Sequence, residues 1–172
     1  MINQLRIILE TDKDDVYRDI EIEDDATLED LHNVIVQSFD FEGYEPAAFY
    51  LTDDELNQGL EIPLFNFDES QPVNNLMGNT LIKDVLSPES PNLLYVYDFL
   101  NMWRFLVNLM DQKEEKEPGI EYPIVVKAHG LRPEEAPEVQ FEDDSAESED
   151  PFKNDLDNPF GEFYDYDDEE WN

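Results

Sequence analysis

Val16-Tyr17-Arg18-Asp19-Ile20-Glu21-Ile22-Glu23-Asp24-Asp25-Ala26-Thr27-Leu28-Glu29-Asp30-Leu31-His32 is the stretch on which the reading of this chain turns. In its first half Ile20 and Ile22 share one face while Asp19, Glu21 and Glu23 share the other, the period of two that a half-buried strand requires. In its second half the period changes. Thr27-Leu28-Glu29-Asp30 has the form of a capping box, with the Thr hydroxyl placed to accept from a free N–H of the first helical turn. Behind it Leu28, Leu31, Val34, Ile35 and Phe39 recur three and four residues apart, which predicts one amphipathic helix over 27–39.

Upstream, Leu5-Arg6-Ile7-Ile8-Leu9-Glu10 is β-rich, and the polar cluster Thr11-Asp12-Lys13-Asp14-Asp15 separates it from Val16. Two such runs joined by a short polar loop predict an antiparallel hairpin. A hairpin followed by one amphipathic helix is the opening of an α+β fold with a ubiquitin-like, β-grasp-type sheet, in which the helix covers one face. The first residues hold one early Arg and no long apolar run, so they read as a first strand rather than a signal peptide.

Downstream, Ala47-Ala48-Phe49-Tyr50-Leu51-Thr52 predicts a third strand, and Leu60-Glu61-Ile62-Pro63-Leu64-Phe65 a short extended piece within a polar loop. Thr80-Leu81-Ile82-Lys83-Asp84-Val85-Leu86 predicts a short helix ended by Ser87-Pro88. Leu93-Leu94-Tyr95-Val96-Tyr97-Asp98-Phe99 is apolar on both faces, as expected of a central strand covered on both sides. Trp103, Phe105, Val107 and Leu109 then alternate at hairpin distance. A charged connector with a turn at Pro118-Gly119 leads to a possible edge strand over 122–127, where Pro123 is tolerable only at the start.

From about Glu134 the composition changes. Residues 134–172 hold 17 acids and one Lys, with Pro137, Pro151 and Pro159 and no sustained period. Such a segment does not bury enough apolar surface to offset ~1–2 kcal/mol per ordered residue. The expected organisation is therefore an α+β domain at 1–133 and a disordered acidic tail, interspersed with aromatics, at 134–172.

Charge bounds function. The chain carries −35 in 172 residues, whereas a small domain ordinarily carries a charge of magnitude ~2–8. Residues 1–133 hold 28 acids against nine bases, and 134–172 a net of −16. Direct nucleic-acid binding needs clustered Lys and Arg to neutralise phosphate, and only ten are scattered here. Anionic membranes are disfavoured for the same reason, and no stretch approaches the ~20 apolar residues of a membrane span. The absence of cysteine removes disulfides, a thiol nucleophile and the common structural zinc sites. A cytoplasmic location is the expectation.

No Gly-rich phosphate loop or nucleophile elbow is present. With 45 acids, carboxylate pairs arise by chance at any spacing and point to general acid–base work only if burial shifts one pKa. Neither 155–160 nor 165–170 has Gly where a Ca²⁺ loop must turn sharply. His32 borders the apolar stripe and reads as a helix-flank residue, and His129 before Gly130 as a residue at a strand end. A metal shared between the two imidazoles is the sharper alternative. Asp98 reads as a carboxylate accepting N–H bonds from the turn after its strand, or else as a binding-site carboxylate. No catalytic residue, metal site or cofactor is assigned.

Leu94-Tyr95-Val96-Tyr97-Asp98-Phe99-Leu100-Asn101-Met102-Trp103 resembles the Tyr-x-Tyr-Asp-Phe-Gly-Asp-x-Trp hallmark of the plasmid pRiA4b ORF-3-like family, in a divergent branch found in gut Bacteroidetes. The segment from Val16 to Ile22, with Thr27-Leu28-Glu29-Asp30-Leu31-His32, resembles the same family's early strand and helix start. The resemblance spans roughly 2–135 and singles out Tyr95, Tyr97, Asp98, Phe99 and Trp103, without assigning them a role. It implies no settled activity; some members are associated with mobile genetic elements. Three features depart from the pattern. Leu100-Asn101 replaces Gly-Asp, so that Asn101 is expected to supply any left-handed turn position. The segment Glu45-Pro46-Ala47-Ala48-Phe49 lacks the family's His, and the segment from Lys127 to Glu134 lacks its Cys.

The tail carries the most suggestive pattern. Phe160, Phe163, Tyr164, Tyr166 and Trp171 are spaced through acids, so charge can steer an encounter that aromatics then anchor. The bland reading is a solubilising tail. The favoured function is a non-catalytic interaction module whose tail contacts a basic protein partner. A nucleic-acid mimic is the alternative. DNA presents one charge per ~1.7 Å; the tail fully extended would present one per ~8 Å, but as a coil spanning ~35 Å it would approach that density. An enzyme is the third reading, and it requires Asp98, His32 or His129 to converge in a cleft.

Overall fold

Two β-rich runs separated by six polar residues form the predicted hairpin. In the computed structural model, which describes residues 1–138, β1 (Ile2–Leu9) and β2 (Val16–Glu23) pair antiparallel with Leu5 opposite Ile20 and Ile7 opposite Arg18. α1 (Leu28–Ser38) starts at its capping box: Thr27 Oγ1 accepts from Asp30 N, and the Asp30 carboxylate accepts from Thr27 N. The helix then buries Leu28, Leu31, Val34 and Ile35 against the sheet.

The remaining strands are β3 (Ala47–Thr52), β4 (Gln58–Pro63), β5 (Asn92–Tyr97), β6 (Trp103–Lys113) and β7 (Ile124–His129). A 3₁₀ turn (Met77–Asn79) and a short helix, α2 (Ile82–Val85), lie between β4 and β5. Among the described residues seven strands join one sheet in the order β4-β3-β5-β6-β1-β2-β7, every neighbouring pair antiparallel. The architecture is α+β: a seven-stranded antiparallel sheet with one main helix. Met1–Pro137 forms one compact unit. The expected tail disorder falls on 134–172, of which 139–172 lie outside the described residues.

Alternation sorts the side chains. Leu5, Ile7, Leu9, Ile20, Ile22, Phe49, Leu93, Tyr95, Phe105 and Val107 face α1 and make the main core with it. Burying each large apolar side chain is worth about 1.5–3 kcal/mol. Ala48, Tyr50 and Val96, with Leu94 and Met102 against them, form a smaller cluster apart from that core. The expectation that β5 is covered on both sides is met at Val96 and not at Leu94. β5 sits between β3 and β6 and its core face lies under α1; on its other face Val96 is buried with Ala48, Tyr50 and Met102, while Leu94 is partly exposed. β4 runs from Gln58, two residues earlier than the sequence reading, and is an exposed edge.

The C-terminus of α1 has no basic residue in its own last turn. Two arginines reach it from elsewhere. Arg18 of β2 donates through Nε to Ser38 O at 2.9 Å and through Nη1 to the carbonyls of Tyr17 and His129. Arg132, past β7, donates to Phe39 O at 2.8 Å and Asp40 O at 3.1 Å. Positive charge is favourable against the free carbonyls at a helix C-terminus, and these contacts tie the strand β2 and the segment after β7 to the helix. Ala136 also packs on the main core, beyond the 133/134 division expected from composition.

Candidate functional site

β5 carries the motif residues. Its alternation sends Tyr95 and Tyr97 to the helix side, and Trp103, directly opposite Tyr97 across the β5–β6 hairpin, joins them there. Tyr95 is fully buried among Phe49, Phe105 and His32, with ring centroids 4.8, 5.5 and 5.9 Å away. Its hydroxyl lies 2.7 Å from His32 Nδ1. Burial pushes the Tyr95 phenol well above its ordinary value and the His32 imidazole down to about 4. Both groups are neutral at physiological pH, and neither is poised near 7 as a general base is.

His32 is therefore not the helix-flank residue the sequence reading expected. It is buried in the helix–sheet interface. One turn after Leu28, it falls within the wide apolar stripe of a core-facing helix, and a buried phenol 63 residues away in the chain supplies the hydrogen-bond partner that makes this tolerable. Sequence spacing alone does not reveal that partner.

Tyr97 accepts a hydrogen bond from Gly43 N at 2.9 Å and stacks obliquely on Phe41 at 4.5 Å. Phe41 in turn meets Trp103 edge-on at 5.2 Å, and the Arg132 guanidinium lies over both rings, at 4.6 and 5.3 Å. The motif aromatics thus anchor the loop after α1 and the segment after β7 to one end of the sheet.

Asp98 organises the β5–β6 loop. Its Oδ1 accepts from Leu100 N and Asn101 N, its Oδ2 accepts from Asn101 Nδ2 at 2.5 Å, and its carbonyl accepts from Met102 N. Its own N–H donates to Pro46 O at 2.8 Å. The left-handed positions are Asp98 at φ 62° and Met102 at φ 58°, not Asn101. Asp tolerates this region because its side chain bonds the loop backbone locally. Met has no such compensation, so closure of the loop imposes the conformation at Met102. Phe99 and Leu100, between these residues, point outward.

The other sequence candidates are dispersed. His129 ends β7 on the surface and stacks on Tyr17 at 4.9 Å. No hydrogen bond joins His32, Asp98 and His129. Among the described residues no group of three His, Asp or Glu side chains converges as a metal ligand set. Three clefts of about 230, 270 and 260 Å³ lie respectively beside α2, beside the β1–β2 loop, and on the sheet face opposite α1 under Leu56; none is lined by His32, Asp98 or His129. Phe160, Phe163, Tyr164, Tyr166 and Trp171 lie outside the described residues.

Two comparisons place the chain among known proteins. The sequence profile described as plasmid pRiA4b ORF-3-like protein matches residues 1–170. A crystal structure of a protein of unknown function from Methanosarcina mazei Go1 is similar in fold, with a TM-score of 0.59 at 23% identity over 74% of this chain and 68% of that one. No curated protein matches the sequence.

Proposed function

We propose that this chain, which belongs to the plasmid pRiA4b ORF-3-like protein family, is a non-catalytic protein-interaction module whose acidic C-terminal segment contacts a basic protein partner. The observation that carries this reading is charge: −35 in 172 residues, with 17 acids and one Lys in 134–172. Carboxylates at that density attract a basic surface over about a Debye length, ~8 Å at physiological salt. The interleaved Phe160, Phe163, Tyr164, Tyr166 and Trp171 supply anchors, since aromatic side chains bury large areas and dominate interface energetics.

The body supports the same reading. The groups that chemistry would need are engaged structurally: His32 is neutral in the core, and Asp98 is saturated by its own loop. The hairpin followed by a helix over one sheet face favours describing the body as a grasp-type sheet, widened by β3 and β4 on one side and β7 on the other. A cytoplasmic setting is part of the proposal. It fits a cysteine-free chain in which, among the described residues, no helix is long and apolar enough to cross a membrane.

The test is binding to purified basic proteins by the full chain and by a chain ending at Glu138. Loss of binding in the shorter chain is expected, and equal binding removes the C-terminal segment from the proposal. Competition with duplex DNA for the same proteins separates the nucleic-acid-mimic reading, because only a mimic displaces DNA from its own site.

A further inference from the structure

One end of the sheet concentrates exposed apolar side chains. Backbone pairing shows which loops share that end: Ala47 is opposite Tyr97, Tyr97 is opposite Trp103, and Leu64 N donates to Ala47 O. The loops after α1, after β4 and between β5 and β6 are therefore neighbours. Tyr44 is 86% exposed, Phe65 53%, Phe67 73%, Phe99 37% and Leu100 93%. Tyr44, Phe67 and Leu100 keep most of their surface in water, and Phe65 and Phe99 keep a substantial part of theirs. Spread over four strands at ~4.8 Å spacing, the tips span ~15 Å.

The loops that display them are stiff. The Asp98 carboxylate holds the Leu100 and Asn101 N–H groups, Tyr97 Oη holds Gly43 N, and Asp98 N is held by Pro46 O. Asn66 Oδ1 accepts from Asp68 N, Asp68 from Ser70 N, and the Phe65 and Phe67 rings meet edge-on at 6.2 Å. A pre-organised apolar patch loses little conformational entropy on binding. The charged residues of these three loops are all acidic, with Asp40, Glu42, Glu45, Asp68 and Glu69 exposed, and Arg132, which lies over Phe41 and Trp103 at this end, is engaged by the carbonyls of Phe39 and Asp40.

We propose that this end of the sheet is a second contact surface, in which Tyr44, Phe65, Phe67, Phe99 and Leu100 seat the apolar face of a basic amphipathic helix of a protein partner while the surrounding carboxylates meet its Lys and Arg residues. A helix is 10–12 Å across with side chains, which matches the ~15 Å patch. The inference rests on the interaction-module reading above and adds to it a surface on the folded body.

The experiment uses the full chain and two synthetic helical peptides of equal positive charge, one with Leu at i, i+3, i+4 and i+7 among Lys residues, the other with Gln in place of Leu. The Leu-containing peptide is expected to bind about tenfold more tightly, a difference of ~1.4 kcal/mol. Amide shifts should move at 43–45, 65–68 and 99–101. The double variant Phe99→Ser/Leu100→Ser should abolish that difference while keeping the wild-type melting temperature. Equal binding of the two peptides, or a silent double variant, overturns the inference. A full chain with Phe160, Phe163, Tyr164, Tyr166 and Trp171 all changed to Ser separates the two readings. If this variant alone loses the Leu-containing peptide, the contact lies on the C-terminal segment and only the present inference fails. If neither peptide binds the wild-type chain, both readings fail. Capture of neutral phosphatidylcholine vesicles, lost in the Phe99→Ser/Leu100→Ser variant, would assign the patch to a lipid surface and overturn the protein partner.

Discussion

His32 Nδ1 and the Tyr95 hydroxyl meet at 2.7 Å in the interface between α1 and the sheet, a polar contact enclosed by aromatic rings. It links the helix of the opening half of the chain to the central strand of the second half. The contact also makes the protein's stability sensitive to pH.

Burial lowers the folded-state pKa of His32 to about 4 from 6.5. Between these values the unfolded chain binds the proton and the folded chain does not, so this group's contribution falls as pH drops from 6.5 towards 4 and is constant above. The full swing is about 3 kcal/mol. Urea unfolding of wild type and His32→Gln at several pH values reads it as a difference, which cancels the many carboxylates both proteins share. Parallel curves through this window would refute the assignment.

Replacing Tyr95 by Phe keeps the ring and removes the hydroxyl, leaving His32 Nδ1 without its partner. A loss of about 1–3 kcal/mol is expected. Tyr97→Phe removes only the bond from Gly43 N, in a more accessible loop, and should cost about 1 kcal/mol. Chemical denaturation of the two variants side by side checks the order, and a larger effect at Tyr97 would contradict it.

Arg18 is buried with its guanidinium on the carbonyls of Tyr17, Ser38 and His129 and over the Phe39 ring at 4.6 Å. Burial lowers its pKa from the ordinary value, against a smaller opposing effect of Asp40. Arg18→Met fills similar volume but removes a charged donor from three carbonyls, and should destabilise by about 2–4 kcal/mol. Lys at this position offers no planar fork and should rescue little. Full rescue by Arg18→Lys in thermal unfolding would show that charge alone matters there.

At Asp98, Ala loses both the loop hydrogen bonds and the local compensation for positive φ, for an expected cost of about 2–3 kcal/mol. Asn retains an acceptor oxygen and tolerates φ 62°, and should cost under about 1 kcal/mol. Hydrogen exchange at Leu100 and Asn101 should quicken in Asp98→Ala and not in Asp98→Asn. Unchanged exchange in both would disconnect the carboxylate from loop order.

A net charge of −35 opposes compaction by self-repulsion. Raising NaCl from about 20 mM to about 300 mM shortens the screening length from roughly 20 Å to under 10 Å. The melting temperature should rise by a few degrees, about 3–6 °C. A fall would mean that ion pairs such as Lys113–Glu21, at 2.8 Å, outweigh the repulsion.

The hairpin, α1, β3, β5, β6 and the short helix after Leu81 were legible because each is declared by local periodicity, a cap or a bounding Pro. The chain's motif also identified the β5–β6 hairpin. The placement of its left-handed residues was not legible: Asp98 and Met102 take them because the carboxylate organises the loop from its first residue, which residue propensity at Asn101 does not report. His32 and Arg18 were misjudged or passed over for a related reason. A polar residue in a core is specified by its partner, and Tyr95, Ser38 and His129 lie 63, 20 and 111 residues away.

From its residues alone the chain determined its element types, its excess of carboxylates and its family, since these follow from neighbours within a few positions and from composition. Only the tertiary structure decided the strand order β4-β3-β5-β6-β1-β2-β7, the burial of His32 against Tyr95, and the gathering of Tyr44, Phe65, Phe67, Phe99 and Leu100 at one end of the sheet. The reason is that antiparallel pairing brings together residues tens of positions apart. Which of many apolar strands become neighbours depends on the packing of all of them at once, and no single segment records that outcome.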